Sequence, residues 1–311
     1  MMLEARHNPE ARHNRDVLGS LRNPYSVLDE RASKFPKLNF PEPEFPAPKL
    51  WLWPNLLSLD APLVAVLWQI LFVRCFHVAL DALPAILLVS SVWLIYAADR
   101  ALDAWRGECG SARHRFYRAH WRILLPVWTA VLGASAGLAL TQLPAILLRR
   151  GCFLLAAVIA YFVLVHGRKG RARVLWSRVL WSKEASVGLL FALGASLAAW
   201  TNVRTAVDAA SIALFFALCW INCAAIQKWE SGNWTPDIDW PVGSAALGVA
   251  FVAGVLLWMH RPVLGGAEMA SAFAFVALDR SGRRLSPDAL RVLADVALLS
   301  PVAFLPLVRG A

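Results

Sequence analysis

Charged residues are scarce in this sequence. Asp, Glu, Lys and Arg make up 17% of its 311 residues, whereas 58% of the residues are apolar and the mean hydropathy is +0.52. Soluble domains contain about 25% charged and about 45 to 50% apolar residues. An ordinary soluble domain is therefore excluded. The apolar excess predicts membrane-spanning helices, provided that it is gathered into runs of roughly 20 residues.

Motifs that depend on cysteine, histidine or nucleic-acid contacts are also missing. The cysteines are odd in number and scattered, which indicates reduced thiols and no disulfide framework. They are Cys75, Cys109, Cys152, Cys219 and Cys223. The seven histidines form no H-E-x-x-H motif and no close Cys/His spacing, so no zinc site is predicted. The net charge of +10 comes without a nucleic-acid-binding signature, so we expect basic loops that face anionic lipid and no nucleic-acid partner.

The first 50 residues differ from the rest of the chain. They contain eight basic and seven acidic residues, no long apolar run, and a proline-rich stretch from Phe35 to Pro48. Such a segment has too little apolar surface to form a core, so residues 1–50 are predicted to be a disordered cytoplasmic tail. Residues 51–311 form the predicted membrane domain, and Trp51 and Trp53 mark its approach to the bilayer.

Apolar runs recur throughout the membrane domain. Nine of them are candidate transmembrane helices, of which the eighth is short. They cover about residues 61–79, 82–98, 123–143, 147–165, 183–200, 207–227, 241–259, 267–278 and 289–308. If the tail is cytoplasmic, 25 basic residues fall on the cytoplasmic side and five on the other, as the positive-inside rule requires. We therefore predict an all-α, multi-pass integral membrane protein with a cytoplasmic N-terminus, located in a bacterial inner membrane.

Two aspartates at the cytoplasmic end of the second predicted helix form the first candidate site. Asp99 and Asp103 lie four residues apart in LIYAADRALDAW, so both carboxylates share one helix face. Carboxylates held so close repel each other unless a cation neutralises them, and hard oxygen ligands beside a phosphate site suit Mg²⁺. Salt bridges with Arg100 or Arg106 explain the same spacing equally well, so both interpretations stay open.

The loops after the second and fourth predicted helices are rich in basic residues. Arg113, His114 and Arg115 lie in the first loop, and Arg168 and Lys169 lie in the second. Guanidinium groups match phosphate oxygens, so these residues are candidates for binding a phosphate-bearing substrate. The positive-inside rule accounts for the same charges without any substrate.

The cytoplasmic end of the sixth predicted helix repeats the period of the second. In CWINCAAIQKWE, the residues Asn222, Ile226 and Glu230 follow one another at intervals of four, which is also the interval between Asp99 and Asp103. The repetition four helices apart predicts an internal duplication.

These features resemble the UbiA superfamily of intramembrane prenyltransferases. Its members have about nine helices around a large central cavity, with aspartate-rich motifs at the inner ends of the second and sixth helices. The stretch YAADRALD matches the DRxxD part of the first motif through Asp99, Arg100 and Asp103, whereas the second motif keeps only the carboxylate of Glu230. The stretch WSKEASVGLLFALG also resembles the family, in which a basic residue, here Lys183, precedes a helix rich in small residues.

The resemblance implies a UbiA-like bundle that transfers an isoprenoid chain from a prenyl diphosphate to an aromatic or lipid acceptor. It implies Asp99, Asp103 and Glu230 as catalytic Mg²⁺ ligands and Lys183 as a further catalytic residue. Substrate binding is assigned to Arg100, Arg113, His114, Arg115, Asn222, Arg168 and Lys169. The expected partners are these substrates and membrane lipids, and no protein partner can be inferred. The alternative is a non-catalytic membrane protein that keeps the fold and a lipid-binding cavity.

A G-x-S-x-G pattern, typical of a hydrolase nucleophile, runs from Gly133 to Gly137. It lies inside an apolar span and not between a strand and a helix. We therefore interpret it as small residues that allow close helix packing.

Overall fold

The computed structural model describes residues 50–79, 81–105, 112–166, 183–231 and 242–308, which belong to one compact unit. Apart from Leu50, the predicted tail lies outside the described residues, and so do Arg168 and Lys169. Four further candidates have a described backbone but no described side chain. They are Arg113, His114, Arg115 and Glu230. The predictions made for these side chains therefore stay predictions.

All regular secondary structure in the described ranges is helical. The first half of the domain contains α1 (Trp53–Leu56), α2 (Asp60–Cys75), α3 (Ala82–Trp105), α4 (Ala112–Gln142) and α5 (Ala145–His166). The second half contains α6 (Lys183–Ser196), α7 (Ala206–Ser231), α8 (Val242–Val252), α9 (Trp258–His260), α10 (Pro262–Ser281), α11 (Pro287–Ala297) and α12 (Pro301–Phe304). A π-helical turn, Ala253–Leu257, joins α8 to α9, and a 3₁₀ segment, Leu197–Asn202, extends α6.

Seven of the described helical segments are long and apolar enough to cross a membrane. They are Ala82–Trp105, Phe116–Gln142, Ala145–Leu164, Lys183–Asn202, Ala206–Trp229, Pro262–Ser281 and Pro287–Leu307. Each coincides with a predicted apolar run, so the all-α membrane class is confirmed for the described part of the chain. The other two predicted spans correspond to α2, which has 16 residues, and to the short apolar segment Val242–Val255. The count of nine spans stays a prediction.

Local sequence signals account for several helix boundaries. Pro262 and Pro287 occupy the first turns of α10 and α11, where a missing backbone N–H costs no hydrogen bond. Ser286 caps α11, since its Oγ accepts a hydrogen bond from Ala289 N at 3.3 Å. Ser58 and His77 adopt positive φ angles of 59° and 53° and lie just before and just after α2.

An aromatic cluster forms the centre of the core. The rings of Trp68 and Phe215 stack with centroids 4.2 Å apart, and Phe72 contacts both rings. These three side chains and Phe275 are fully buried, so α2, α7 and α10 meet around them. Trp68 Nε1 donates to Leu298 O at 2.8 Å, which fixes the segment after α11 against α2.

The two ends of the bundle are held by different polar contacts. At one end, Asn202 Nδ2 donates to Phe76 O at 2.9 Å, and Arg261 pairs with Asp208 at 3.0 Å. We call the other end, where α3 and α7 terminate and α2 and α6 begin, the polar end. Lys228 and Asp279 pair there at 3.6 Å.

Candidate functional site

Asp99 and Asp103 lie on the last turns of α3 and are partly buried. Their charges act on the hydroxyl of Tyr161, near the end of α5, and the charge of Glu184 acts on the same hydroxyl. The end of α3, the end of α5 and the start of α6 thus lie at the polar end of the bundle, with the aspartate pair on α3.

Lys183 begins α6, as the apolar run 183–200 predicts, and Glu184 is the second residue of this helix. Lys183 is exposed and Glu184 is partly buried, and the charges of both act on the thiol of Cys223 in α7. A glycine allows α6 and α7 to approach closely here, because a Cβ atom at Gly188 would lie 2.8 Å from Trp220 N. The polar end thus gathers side chains from α3, α5, α6 and α7.

Two of the three positions of the predicted second motif, Asn222 and Ile226, make contacts with other helices or with the core. Asn222 Nδ2 donates to Asp295 Oδ1 at 3.2 Å, which links α7 to α11. Ile226 is partly buried and packs against the hydrophobic core. The side chain of Glu230, the one carboxylate of this motif, lies outside the described residues.

Arg100, a predicted substrate-binding residue, is buried and fully engaged with the start of the domain. Its Nη1 donates to Asn55 O and, at 2.7 Å, to Ser58 Oγ, and its Nη2 lies 3.9 Å from Asp60 Oδ1. Ser58 also shares a hydrogen bond of 2.7 Å with the Tyr117 hydroxyl. In this arrangement the guanidinium anchors the segment before α2 to α3 and α4, so binding a diphosphate would require these contacts to be exchanged.

Sequence reasoning missed a second carboxyl pair. Asp60, the first residue of α2, and Asp295 of α11 are near enough to act on each other electrostatically, and Asn55 Nδ2 donates to Asp60 Oδ2 at 2.6 Å. Both aspartates fall in or at the edge of apolar runs, and an acid in such a place is a functional candidate by default. That signal was available in the sequence, but only the fold shows that the two residues lie near each other.

A small, partly open cavity is lined by Asp295 of this pair. It measures about 20 Å³ and lies between five helices. Its lining residues are Ala61, Val64, Tyr96, Val187, Gly188, Phe191, Cys219, Asn222, Cys223, Asp295 and Leu298. This volume suits about one water molecule. It is too small for a prenyl chain, so the large central cavity that the resemblance implies stays a prediction.

The donor set at Asp99 and Asp103 has the chemistry that Mg²⁺ prefers. Two carboxylates one turn apart offer hard oxygen ligands. Within the described ranges, no three His, Cys, Asp or Glu side chains come together as a metal-binding group. Because the predicted third ligand, Glu230, is not among the described side chains, the predicted magnesium site is not tested.

Seven long apolar helices and a group of ionisable residues gathered at one end of the bundle define the class of this protein. It is a multi-pass integral membrane protein. Comparison with known proteins adds no relative, since no family model, no curated protein and no solved structure matches the chain significantly. The function of this protein is therefore inferred from its candidate site.

Proposed function

We propose that this protein is a Mg²⁺-dependent intramembrane prenyltransferase that moves an isoprenoid chain from a prenyl diphosphate to an aromatic or lipid acceptor. The observation that carries the proposal is the position of Asp99 and Asp103 on one face of the last turns of α3 at the polar end, where α5 ends close after Tyr161 and α6 begins with Lys183 and Glu184. Acidic, basic and phenolic groups side by side at a helix bundle end suit a substrate with a charged head and an apolar tail.

Each group has a separate part in the proposed reaction. Asp99 and Asp103, with Glu230 as a third acid, would hold Mg²⁺, which supplies charge neutralisation for the leaving diphosphate. Lys183 adds a positive charge beside this site, and the basic residues that follow α3 and α5 would guide the diphosphate by electrostatic attraction. The apolar walls of the bundle would keep water away from an allylic cation.

The proposal includes an orientation. The polar end would face the cytoplasm of a bacterial inner membrane, because in the nine-span arrangement 17 of the 23 basic residues of the membrane domain fall on this side. A diphosphate substrate made in the cytoplasm would then reach Asp99 without crossing the bilayer. Labelling of single cysteines from each side, with one placed near Gly265, tests this orientation. A cytoplasmic reaction at Gly265 would contradict it.

The second candidate function is a non-catalytic membrane protein that binds lipid. Two observations favour it: Ile226 stands where the second motif needs a carboxylate, and Arg100 is engaged with Asn55 and Ser58. Such a protein would keep the bundle for its stability and use the polar end only for packing.

The decisive experiment measures diphosphate released from a radiolabelled prenyl diphosphate by the purified full chain. We expect release that requires Mg²⁺ and that falls about 100-fold or more in Asp99→Asn and in Asp103→Asn. Asp288→Asn is the matched control, since Asp288 is an exposed acid in the first turn of α11. Absence of release for every prenyl chain length tried would refute the enzyme and favour the second candidate.

A gain-of-function variant separates the two candidates further. Ile226→Asp restores a carboxylate to the second motif, so a prenyltransferase should become more active at low Mg²⁺. In a non-catalytic protein the same change buries an unpaired carboxyl group against the core, and the expected result is a lower unfolding temperature without turnover.

A further inference from the structure

Glu268 is a buried acid that the proposed prenyl transfer does not use. It lies in α10, six residues after Pro262, so about 9 Å of helix separate it from the start of α10. The side chain is fully buried, with 0% of its surface exposed, and neither carboxyl oxygen has a hydrogen-bond partner among the described residues. A buried polar group without a partner calls for an explanation.

The turn of α10 that leads to Glu268 packs closely against its neighbours. A Cβ atom at Gly265 would lie 2.7 Å from Leu257 Cβ, and a Cβ atom at Gly266 would lie 2.5 Å from Phe304 Cε1. The helix thus touches apolar side chains directly at these two positions. Surroundings of this kind cannot solvate a negative charge.

The polar groups nearest to Glu268 along α10 are already engaged. Ser271 lies one turn later on the same face, and its hydroxyl donates its single proton to Ala297 O at 2.7 Å. Arg261, which precedes the helix, pairs with Asp208 at 3.0 Å. Neither group is therefore left to stabilise a carboxylate at Glu268.

The elements that pack against α10 supply no better partner. The helices α8 and α12 and the π-helical turn contain no ionisable residue. On α2, Arg74 donates to Leu305 O at 3.5 Å. The ionisable groups of the other packed elements, apart from those near the polar end, are thiols, acids and one histidine whose side chain lies outside the described residues. They are Cys75, Asp208, Cys219, His260 and Asp295.

We propose that Glu268 binds one proton in the packed bundle and that loss of this proton at alkaline pH destabilises the bundle. An ionised carboxylate without a partner is far more costly to bury than a neutral acid, so the folded chain keeps the O–H bond of Glu268. In an unfolded chain a glutamate is ionised at neutral pH. Unfolding therefore breaks this O–H bond and releases the proton to water. The site is separate from Asp99 and Asp103 and does not depend on the proposed prenyl transfer.

The pH dependence of stability tests the proposal. Because the unfolded state binds one proton fewer, the unfolding equilibrium constant should rise about tenfold per pH unit above the usual titration range of glutamate, until the folded chain also ionises. Glu268→Gln keeps the size of the side chain and cannot ionise. Between pH 6 and pH 9 we expect the unfolding temperature of the purified wild-type chain to fall at least about 3 °C further than that of this variant.

The matched control is Asp288→Asn, which alters an exposed acid of α11 and should keep the wild-type pH dependence. Equal pH dependence in the wild-type chain and in Glu268→Gln would overturn the proposal.

Infrared spectroscopy of the full chain detects the proton directly, because a protonated carboxyl group and a carboxylate absorb at different frequencies. At pH 8 we expect the C=O band of a protonated acid, which should shift when glutamate is labelled with ¹³C at its side-chain carboxyl and disappear in Glu268→Gln. If the variant fails to fold, the labelled wild-type chain alone decides. A spectrum without a protonated glutamate at pH 8 would show that Glu268 is ionised and would overturn the proposal, and so would a band that persists in the variant.

Discussion

Helices α4 and α7 are nearly equal in hydropathy but differ in their surroundings. The most apolar windows of the spans Phe116–Gln142 and Ala206–Trp229 have mean hydropathies of 1.9 and 2.1, yet 0% of the first window and 39% of the second are buried. The span of α5 resembles α4, with 6% buried. Hydropathy therefore reports that a helix belongs in lipid, but not whether its neighbours are lipid or protein.

Glycine positions reveal the same difference. A Cβ atom at Gly188 of α6 would lie 2.8 Å from Trp220 N, whereas a Cβ atom at Gly133, Gly137 or Gly151 would have no neighbour within 4 Å. The expectation that the Gly133 to Gly137 stretch packs closely against another helix is thus wrong within the described chain. Glycine therefore allows α6 to pack closely against α7, whereas the glycines of α4 and α5 face open space.

Polar pairs at the far end of α7 complete the contrast. Asp208 is 1% exposed and accepts hydrogen bonds from Arg204 N, Thr205 N and the Arg261 guanidinium, all between 3.0 and 3.2 Å. Its carboxylate is therefore satisfied by these hydrogen bonds. We interpret the Asp208 pair as structural, since a fully paired group has no capacity left for a ligand.

The largest loss of stability is expected when the Asp208–Arg261 pair is broken. Arg261→Ala leaves the buried Asp208 carboxylate without its cation and should cost about 3 to 5 kcal/mol in free energy of unfolding. Arg149→Ala, which removes an exposed arginine of α5, is the matched control and should have little effect. Denaturant unfolding in detergent measures both. Equal losses of stability in the two variants would mean that the core and the α4–α5 hairpin do not differ in burial.

The next largest effect is expected from a glycine pair. Gly188→Val forces a side chain against the backbone of Trp220 and should cost about 1 to 3 kcal/mol through separation of α6 from α7. Gly133→Val places the same side chain in open space and should not destabilise the chain by this route. The difference between the two unfolding temperatures checks the comparison directly. A larger loss for Gly133→Val would reveal a partner on α4.

A smaller effect is expected from one hydrogen bond. Trp68→Phe keeps an aromatic ring in the core but removes the bond to Leu298 O, which should cost about 1 kcal/mol, with some added loss of ring contact. Trp258→Phe, at a position 62% exposed, should change stability much less. Thermal unfolding followed by circular dichroism measures both variants.

The smallest effect is expected on the face of α4. Leu140 is 71% exposed, so Leu140→Ala should change the free energy of unfolding by no more than about 0.5 kcal/mol. Unfolding in detergent at several protein concentrations tests this value. A clear loss that depends on protein concentration would show that α4 packs against a second chain.

Sequence reasoning located Asp99 and Asp103 because i, i+4 spacing fixes the shared face of a helix without knowledge of the fold. It also placed Lys183 at the start of α6, since the apolar run begins there. It did not find that Asp60 lies near Asp295, because 235 positions separate them in the numbering and no local pattern joins them. It assigned Arg100 to the substrate, whereas its contacts with Asn55 and Ser58 depend on how the segment before α2 folds back.

The sequence by itself determined the class of this protein, because the insertion of a helix into the bilayer depends on its own length and hydropathy, which are local properties. It determined the positions of the long helices for the same reason. Only the tertiary structure decided that α7 and α10 are buried while α4 and α5 face outwards, since packing depends on which helices become neighbours. It also decided which carboxyl groups are paired, as Asp208 is with Arg261, because charge compensation is a property of contacts between distant parts of the chain.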